Sequence, residues 1–296
     1  MKDISIVIVS WNVEELLLNF IKSIFNNTKD IDFEIIVVDN ASKDWTVDKI
    51  KWEFAREIKN GNLKILAQQE NLGFAKANNL GWKAAKGKYI WFLNPDMKFI
   101  DDSIGKMINY IKQDQNIGAL GSTLLYPDKS IQPTVKNFPK ISDQILILLK
   151  LHHFIKTKSL KKYLAKNFDY TQTQEVDQLM GACILTRKNI LEKINGWDED
   201  YWLWWEDVDI CKRIKKQGYK IVYSPISQII HYEGKSFEQV PSLDKQKRFN
   251  KGMRIYFKKH HGLVSYIILS VLSPVSLFLA WLSQLFKVKP KPQSRI

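Results

Sequence analysis

The first half of the chain alternates short runs of apolar, often β-branched residues with segments whose apolar positions recur at helical spacing. The apolar runs are Ile4 to Ser10, Glu34 to Val38, Leu63 to Ala67 and Tyr89 to Leu93. They are continuous rather than alternating with polar residues, which predicts parallel strands covered on both faces. Between them, Glu14 to Asn26 puts Leu16, Leu17, Phe20, Ile21 and Ile24 on one stripe, and Asn78 to Lys86 and Ser103 to Lys112 repeat the pattern. The order β-α-β-α-β-α-β predicts an α/β fold, an open and mostly parallel sheet flanked by helices. Ligands of such folds meet the loops at the carboxyl ends of the strands. Polar residues gather there: Ser10 and Asn12, Asp39 and Asn40, Asn71 and Gly73, Asn94 and Asp96.

Beyond Gly118 the pattern is less regular. Strands are expected at Ala119 to Tyr126, Ala182 to Thr186 and Lys220 to Tyr223, and helices near Lys188 to Ile194 and Glu206 to Gln217. Residues 263–286 carry no charged side chain. At about 1.5 Å per residue a helix of that length reaches roughly 36 Å, enough for a ~30 Å hydrocarbon core. Pro274 interrupts it, and Ser265, Ser273, Ser276 and Ser283 fall on one side of a helical wheel. A spanning helix, a kinked interfacial helix and a long apolar helix packed on a soluble core all fit this pattern. Lys258 and Lys259 before it, and Lys287, Lys289, Lys291 and Arg295 after it, suit an anionic cytoplasmic leaflet. The shorter apolar stretch Ile145 to Ile155, with Lys156, Lys158, Lys161 and Lys162 following, fits a helix dipping into headgroups as well as a core helix beside a basic face.

Composition narrows the classes. At 45% hydrophobic residues, without low-complexity segments or repeats, a globular fold is expected. The excess of 45 Lys and Arg over 31 Asp and Glu, a net +14, predicts an anionic partner: nucleic acid, a phospholipid surface or a phosphorylated substrate. Lysines spread along the chain, and acids at strand ends, speak against nucleic acid. Cys183 and Cys211 lie outside any zinc-ligand spacing, and the opening residues carry no leader pattern. A reducing compartment is therefore expected, and a signal peptide is not.

Several positions carry chemistry. Asp39, ending a strand, suits a base N–H or ribose hydroxyl, or else caps the next helix in competition with Ser42 and Asp44. Asp96 is the natural ligand for the Mg²⁺ or Mn²⁺ that neutralises a departing diphosphate. Glu206 and Asp207 open a helix, where a carboxylate either takes a proton from an acceptor hydroxyl or merely complements the helix dipole. Their side chains point about 100° apart and cannot share one proton. The aromatic run before them, with Trp204 and Trp205, suits sugar or lipid contact. Asp209 either pairs with Arg213 at the i,i+4 spacing or positions an acceptor, and it is the second-choice base. Asn71, Gly73, Asn78 and Asn79 suit a donor-binding loop as well as ordinary turns and caps.

The segments 5–12 (SIVIVSWN), 37–42 (VVDNAS), 71–79 (NLGFAKANN) and 93–96 (LNPD), with 181–183 (GAC) and 196–209 (GWDEDYWLWWEDVD), resemble glycosyltransferase family 2 in order and spacing, in the branch that contains rhamnosyltransferases. The similarity covers roughly residues 4 to 236. It implies a GT-A, Rossmann-like fold in which Asp39 contacts the base, Asp96 is the last acid of the metal motif and Asp207 is the catalytic base beside Glu206. The strand-end residues Ser10, Asn12, Asp39, Asn71, Gly73, Asn78 and Asn94 become the expected donor-binding set. His231, in a His-x-x-Gly-x-Ser segment ending at Ser236, joins Asp96 as a metal ligand, and Trp204, Trp205 and Asp209 face the acceptor. Asn94 replaces the first acid of the usual motif, which bears on metal affinity rather than on fold.

The implied activity is inverting, Mg²⁺- or Mn²⁺-dependent transfer from a nucleoside diphosphate sugar, with dTDP-rhamnose the expected donor, to a lipid-linked or growing cell-surface saccharide. Residues 1–125 would form the nucleotide-sugar half, 126–240 the acceptor half of the same domain, and 241–296 a helical segment holding the protein to the anionic cytoplasmic face of the plasma membrane. Two rivals stand beside it. Polyprenyl-phosphate transferases of the dolichol-phosphate mannose synthase type carry Asp-Ala-Asp where this chain has Asn94-Pro95-Asp96. A non-catalytic saccharide-binding or scaffold protein would not need Asp96, Asp207 and His231 together.

Overall fold

A computed structural model describes residues 2–234 and 242–285. Ser236, Lys287, Lys289, Lys291 and Arg295, singled out from the sequence, lie outside the described residues. The first half runs β1 (Ile4–Ser10), α1 (Glu14–Asn27), β2 (Phe33–Asp39), α2 (Thr46–Glu53), α3 (Ala55–Lys59), β3 (Leu63–Ala67), α4 (Phe74–Ala84), β4 (Tyr89–Leu93), β5 (Met97–Phe99), α5 (Ser103–Gln113) and β6 (Ile117–Leu125). The second runs β7 (Ile131–Gln132), β8 (Val135–Lys136), α6 (Ile141–Leu148), α7 (Lys158–Tyr163), β9 (Gln174–Val176), β10 (Gln178–Leu179), β11 (Cys183–Arg187), α8 (Lys188–Ile194), α9 (Glu206–Lys216), β12 (Lys220–His231), α10 (Ser242–His261) and α11 (Leu263–Leu285).

One ten-stranded sheet forms the frame, with its main path in the order β3-β2-β1-β4-β11-β6-β12-β5. The four apolar runs of the first half are its parallel part: β1 pairs in parallel with β2 and β4, and β2 with β3. Beyond β4 the sheet is mixed, since β11 runs antiparallel to both β4 and β6 while β12 is parallel to β6. Side chains alternate across it. Ile4, Ile6 and Ile8 pack with Phe20, Ile21 and Ile108 from α1 and α5 on one face, and Val7 packs with Ala75, Trp82 and Ile210 from α4 and α9 on the other. On the second face the Trp197 ring sits edge-on to Phe74 and Phe92, with centroids 5.6 Å and 5.0 Å away.

Three expectations change at this point. Helix α4 begins at Phe74 rather than Asn78, because Gly73, at φ 80°, turns the chain just before it. Strand β12 does not stop at Tyr223 but continues to His231, absorbing Pro225 in an irregularity of its pairing between Tyr223 and Gln228. The stretch 145–155 is not one helix: α6 ends at Leu148, Lys150 turns left-handed at φ 58°, and a short 3₁₀ turn follows.

A third apolar cluster binds the C-terminal helices to this frame. Leu148 of α6, Trp205, Val208, Met253, Tyr256 and Phe257 of α10, and Leu269 of α11 pack together. The serine stripe of α11 faces inward. Ser273 and Ser276 are buried, and the Asn250 amide donates to the Ser273 carbonyl at 3.4 Å. The opposite side leaves Leu263, Val264, Ile267, Val271 and Phe278 more than half exposed.

Polar contacts lock α10 to the frame. Asp209, 0% exposed, accepts from His260 Nε2 at 2.7 Å and Arg213 Nε at 2.6 Å, and Arg213 Nη1 reaches the carbonyls of Ile194 and Gly196 at 2.7 and 2.8 Å. Lys259 bridges Asp198 and Asp200. Burial by itself would raise the Asp209 carboxyl, but the His260 hydrogen bond and the Arg213 charge outweigh it and hold it below the usual range. Its contribution to stability is thus complete above the ordinary carboxylate value and is lost as pH falls through the depressed one. Asp209→Ala, which takes the carboxylate from the half-buried Arg213 and from His260, is expected to lower the unfolding free energy by roughly 3 kcal/mol in urea titrations of the intact protein at neutral pH.

Candidate functional site

At the carboxyl ends of β1 and β4 lies a cavity of about 250 Å³, lined by Ser10, Trp11, Asn40, Asn71, Gly73, Asn94 and Asp96, and closed by Trp202, Leu203 and Arg248. A larger hollow of about 500 Å³ lies beside Lys83, Asp198 and Arg213, away from the strand ends, and is bordered by the contacts that hold α10.

The strand ends are tied to one another before any ligand arrives. Asn12, left-handed at φ 52°, accepts from the Lys43 amide at 2.7 Å and donates its own backbone N–H to Ser42 Oγ at 2.9 Å. Asn40 donates to Asn71 Oδ1 at 3.0 Å and the Gly73 carbonyl at 3.2 Å, and accepts from the Leu72 amide at 2.8 Å. Asp39 Oδ2 accepts from the Ser42 amide at 3.0 Å, so the carboxylate does cap its loop. Its other oxygen and the Ser10 hydroxyl on the paired strand are buried without a partner among the described residues. Burial pushes the Asp39 carboxyl up, against the hydrogen bonds from Ser42. Ser10 lines the cavity and Asp39 pairs with it in register, so two buried, unsatisfied oxygens near the cavity are suited to a ligand N–H or O–H.

Asp96 lines the cavity and meets the buried His231, with Nε2 of the imidazole 3.3 Å from Oδ1 of the carboxylate. The other ring nitrogen, Nδ1, lies 2.8 Å from Gln132 Oε1, and Gln132 is fully buried. A donor bond to Gln132 places a proton on Nδ1, so that in the neutral ring the Nε2 lone pair faces Asp96. Two acceptor atoms 3.3 Å apart need a positive centre between them, a proton or a metal cation. The donor set of one carboxylate and one imidazole fits Mg²⁺ or Mn²⁺ when phosphate oxygens and water supply the remaining positions. No group of three or more His, Cys, Asp or Glu residues suited to a metal occurs among the described residues. Asn94 Nδ2, 3.5 Å from His231 Nε2, stands where the usual motif has an acid.

Asp207 is held from both sides. Its Oδ2 accepts from the Gly181 amide at 3.2 Å and its Oδ1 from the Val208 amide at 2.8 Å. The next residue, Ala182, accepts from the Asn94 amide at 3.1 Å, so two adjacent residues link the base candidate to the metal loop. Burial raises the Asp207 carboxyl, with the two amides and Lys136 acting against it. Glu206 is different: its carboxyl is buried with Oε2 unpartnered, and desolvation together with the Asp207 charge lifts it well above the usual range.

The structure moves three expected acceptor residues. The Trp205 ring is buried against Phe249 and Tyr256 at 5.5 and 5.4 Å, because its left-handed backbone, φ 74°, turns it toward α10. It anchors a helix rather than facing an acceptor. Asp209 is no surface partner or spare base, since burial and its bonds to His260 and Arg213 leave it closed to substrate. Trp204, at φ 63°, is half-buried beside the same cluster. Asn78, also expected at the donor, is buried and donates to the Phe74 carbonyl of its own helix at 3.0 Å. Asn79 instead grips Trp197 and Glu199, each at 2.8 Å.

Residues outside the expected donor and metal sets complete the site. Asn40 stands where the strand-end polar residues are expected, and Trp202 belongs to the aromatic run expected to suit sugar or lipid contact. Gln132 and Arg248 had no signal, because each reaches the site through a contact distant in sequence. Trp202 lies on the backbone of Gly73, its carbonyl accepting from the Phe74 amide at 2.7 Å. A Cβ on Gly73 would stand 2.5 Å from that carbonyl oxygen. The close approach expected of Gly73 is therefore to Trp202.

A family model described as Glycosyl transferase family 2 matches residues 5–194, and one described as N-terminal domain of galactosyltransferase matches residues 163–235. The chain is 28% identical over 231 residues to the rhamnosyltransferase WbbL of Escherichia coli, covering 77% of this chain and 82% of that protein. It is 25% identical over 219 residues to the N-acetylglucosaminyl-diphospho-decaprenol L-rhamnosyltransferase of Mycobacterium tuberculosis, covering 70% and 69%. It spans only 26% of another relative, an uncharacterized protein of Sinorhizobium fredii. Among solved structures, the mannosyltransferase PcManGT of Pyrobaculum calidifontis, in complex with GDP-Man and Mn²⁺, superposes with a TM-score of 0.58 at 16% identity, covering 100% of this chain and 79% of that one. GalNAc-T7 with UDP, GalNAc and Mn²⁺ gives a TM-score of 0.60 at 17% identity, covering 81% and 45%. With its strand-end cavity and mixed sheet, the chain has a GT-A-type fold and belongs to glycosyltransferase family 2.

Proposed function

We propose that this glycosyltransferase moves L-rhamnose from dTDP-rhamnose to a lipid-linked or growing cell-surface saccharide, inverting the anomeric carbon, at the cytoplasmic face of a membrane. The observation that carries the proposal is the linkage of Asp207, through Gly181 and Ala182, to the loop on which Asp96 faces His231. The two relatives named as rhamnosyltransferases support the choice of sugar.

Asp39 and Ser10 would receive the base and ribose. Asp96 and His231 would hold Mg²⁺ or Mn²⁺, whose chemistry when bound is to neutralise charge on the departing diphosphate. Asp207, fixed by two backbone amides, would accept the proton of the acceptor hydroxyl as that oxygen attacks the anomeric carbon. Its raised pKa makes it a stronger base than a free carboxylate, and Lys136 tempers the rise. The outward apolar face of α11, with exposed Phe154 and Ile155 beyond α6, would rest in lipid. The described span Leu263–Ser283 is long and apolar enough to cross a bilayer.

The deciding experiment incubates the intact protein with dTDP-rhamnose, UDP-, GDP- and other nucleotide sugars, Mn²⁺ or Mg²⁺ and a lipid-linked saccharide, and follows product by mass spectrometry. Transfer from dTDP-rhamnose alone supports the full proposal, transfer from another donor corrects the sugar, and absence of transfer from all of them defeats it. Asp207→Asn is expected to lower kcat about 10²- to 10⁴-fold with donor affinity retained. Because Asp207 acts deprotonated and its pKa is raised, the rate should fall with acid at a pH above the ~3.9 of a free Asp. Gln132→Leu, which frees the His231 tautomer, is expected to weaken Mn²⁺ binding in the presence of dTDP about 10- to 100-fold by calorimetry.

A further inference from the structure

Helix α10 lies beyond both spans that match family models, 5–194 and 163–235, yet it reaches the strand-end cavity through Arg248. The guanidinium carbon stands 3.5 Å over the Trp202 ring, and both residues line the cavity together with Asn94 and Asp96. Stacking fixes the plane of the guanidinium and leaves its N–H edge to in-plane acceptors. Among the described residues Arg248 Nη1 is buried and meets no hydrogen-bond acceptor. The helix is held close enough for this by Gly252, one turn further on the same face, where a Cβ would stand 2.7 Å from the Trp204 carbonyl oxygen.

A stacked cation with a buried donor unmet among the described residues calls for an anion, since Asp244, one turn earlier on α10, acts on it only through charge. A sugar ring or a base has no charge to offer it, whereas a diphosphate presents several oxygens in the fork geometry that guanidinium matches. Asp96 lines the same cavity, with the His231 imidazole 3.3 Å from it, so one ligand could meet a cation at Asp96 and the guanidinium at its other phosphate oxygens.

We propose that Arg248 is the clamp for the donor diphosphate, with Trp202 as the plate that orients it. The inference rests on the nucleotide-sugar reading above. As the bond from the anomeric carbon to the diphosphate oxygen breaks, its electron pair stays on that oxygen, and Arg248 stabilises the added charge. The acceptor oxygen forms the new bond to carbon while its proton passes to Asp207.

The test measures binding of dTDP, UDP and GDP, and of the corresponding uncharged nucleosides, to the intact protein in detergent with Mn²⁺, by calorimetry and ligand-observed NMR. For the diphosphate that wild type prefers, Arg248→Met should lower affinity about 10- to 100-fold and leave the nucleoside unchanged, with Arg248→Lys between the two. Arg248→Gln serves the same comparison if the Met variant does not fold. Unchanged diphosphate affinity, or equal loss for diphosphate and nucleoside, overturns the clamp and leaves the transferase proposal standing. Failure of wild type to bind any diphosphate overturns both.

Discussion

The contact between Gly73 and Trp202 is the constraint on which the site depends. Gly73 ends the loop that Asn40 ties to the central strands, and Trp202 begins the aromatic loop leading into α9. With no side chain between them, the two backbones come near enough for the Phe74 amide to bond the Trp202 carbonyl at 2.7 Å. That bond brings a loop from the second half of the chain over the strand ends of the first. Asp207 follows it by five residues, and Arg248 stacks on its tryptophan. Any side chain at Gly73 would meet the Trp202 backbone and push that loop away from the strand ends.

Within the first helical turn of α9 three carboxyls meet three fates, decided by what replaces water around each. Asp209 receives His260 and Arg213 and falls below its ordinary range. Asp207 receives two amides and a more remote lysine, too little to offset burial, and rises. Glu206 has Oε2 unpartnered and rises furthest, toward a neutral carboxyl. Nearness in sequence thus does little to fix chemistry, and the partners arriving from α10 and from the loop at Gly181 do most of it.

The parallel strands and the strand-end residues are legible in the sequence because continuous apolar runs and the turn chemistry after them are local signals. The dinucleotide Asp39-Asn40 and the segment Asn94 to Asp96 fall where the periodicity places them. The second half is less legible because its strands pair with distant partners and its longest one absorbs a proline. The aromatic run 201–205 is legible only in part: Trp202 lines the cavity, but left-handed backbone at Trp204 and Trp205 sends the last ring inward. Gln132 and Arg248 could not be found by spacing, since each reaches its partner across more than forty residues. The serine stripe of α11 is visible in the sequence, but the side it faces is settled only by the helices it packs on.

Two consecutive tryptophans with positive φ store strain of about 1–3 kcal/mol each, and burial of the Trp205 ring beneath α10 is what holds them there. The two family-model matches therefore stop short of the helix that keeps this loop in place. A boundary drawn after residue 235, where the second match stops, would uncover Trp205 and leave Asp209 without His260. Motifs mark where the chain is recognised, and packing marks how much further its loop is supported.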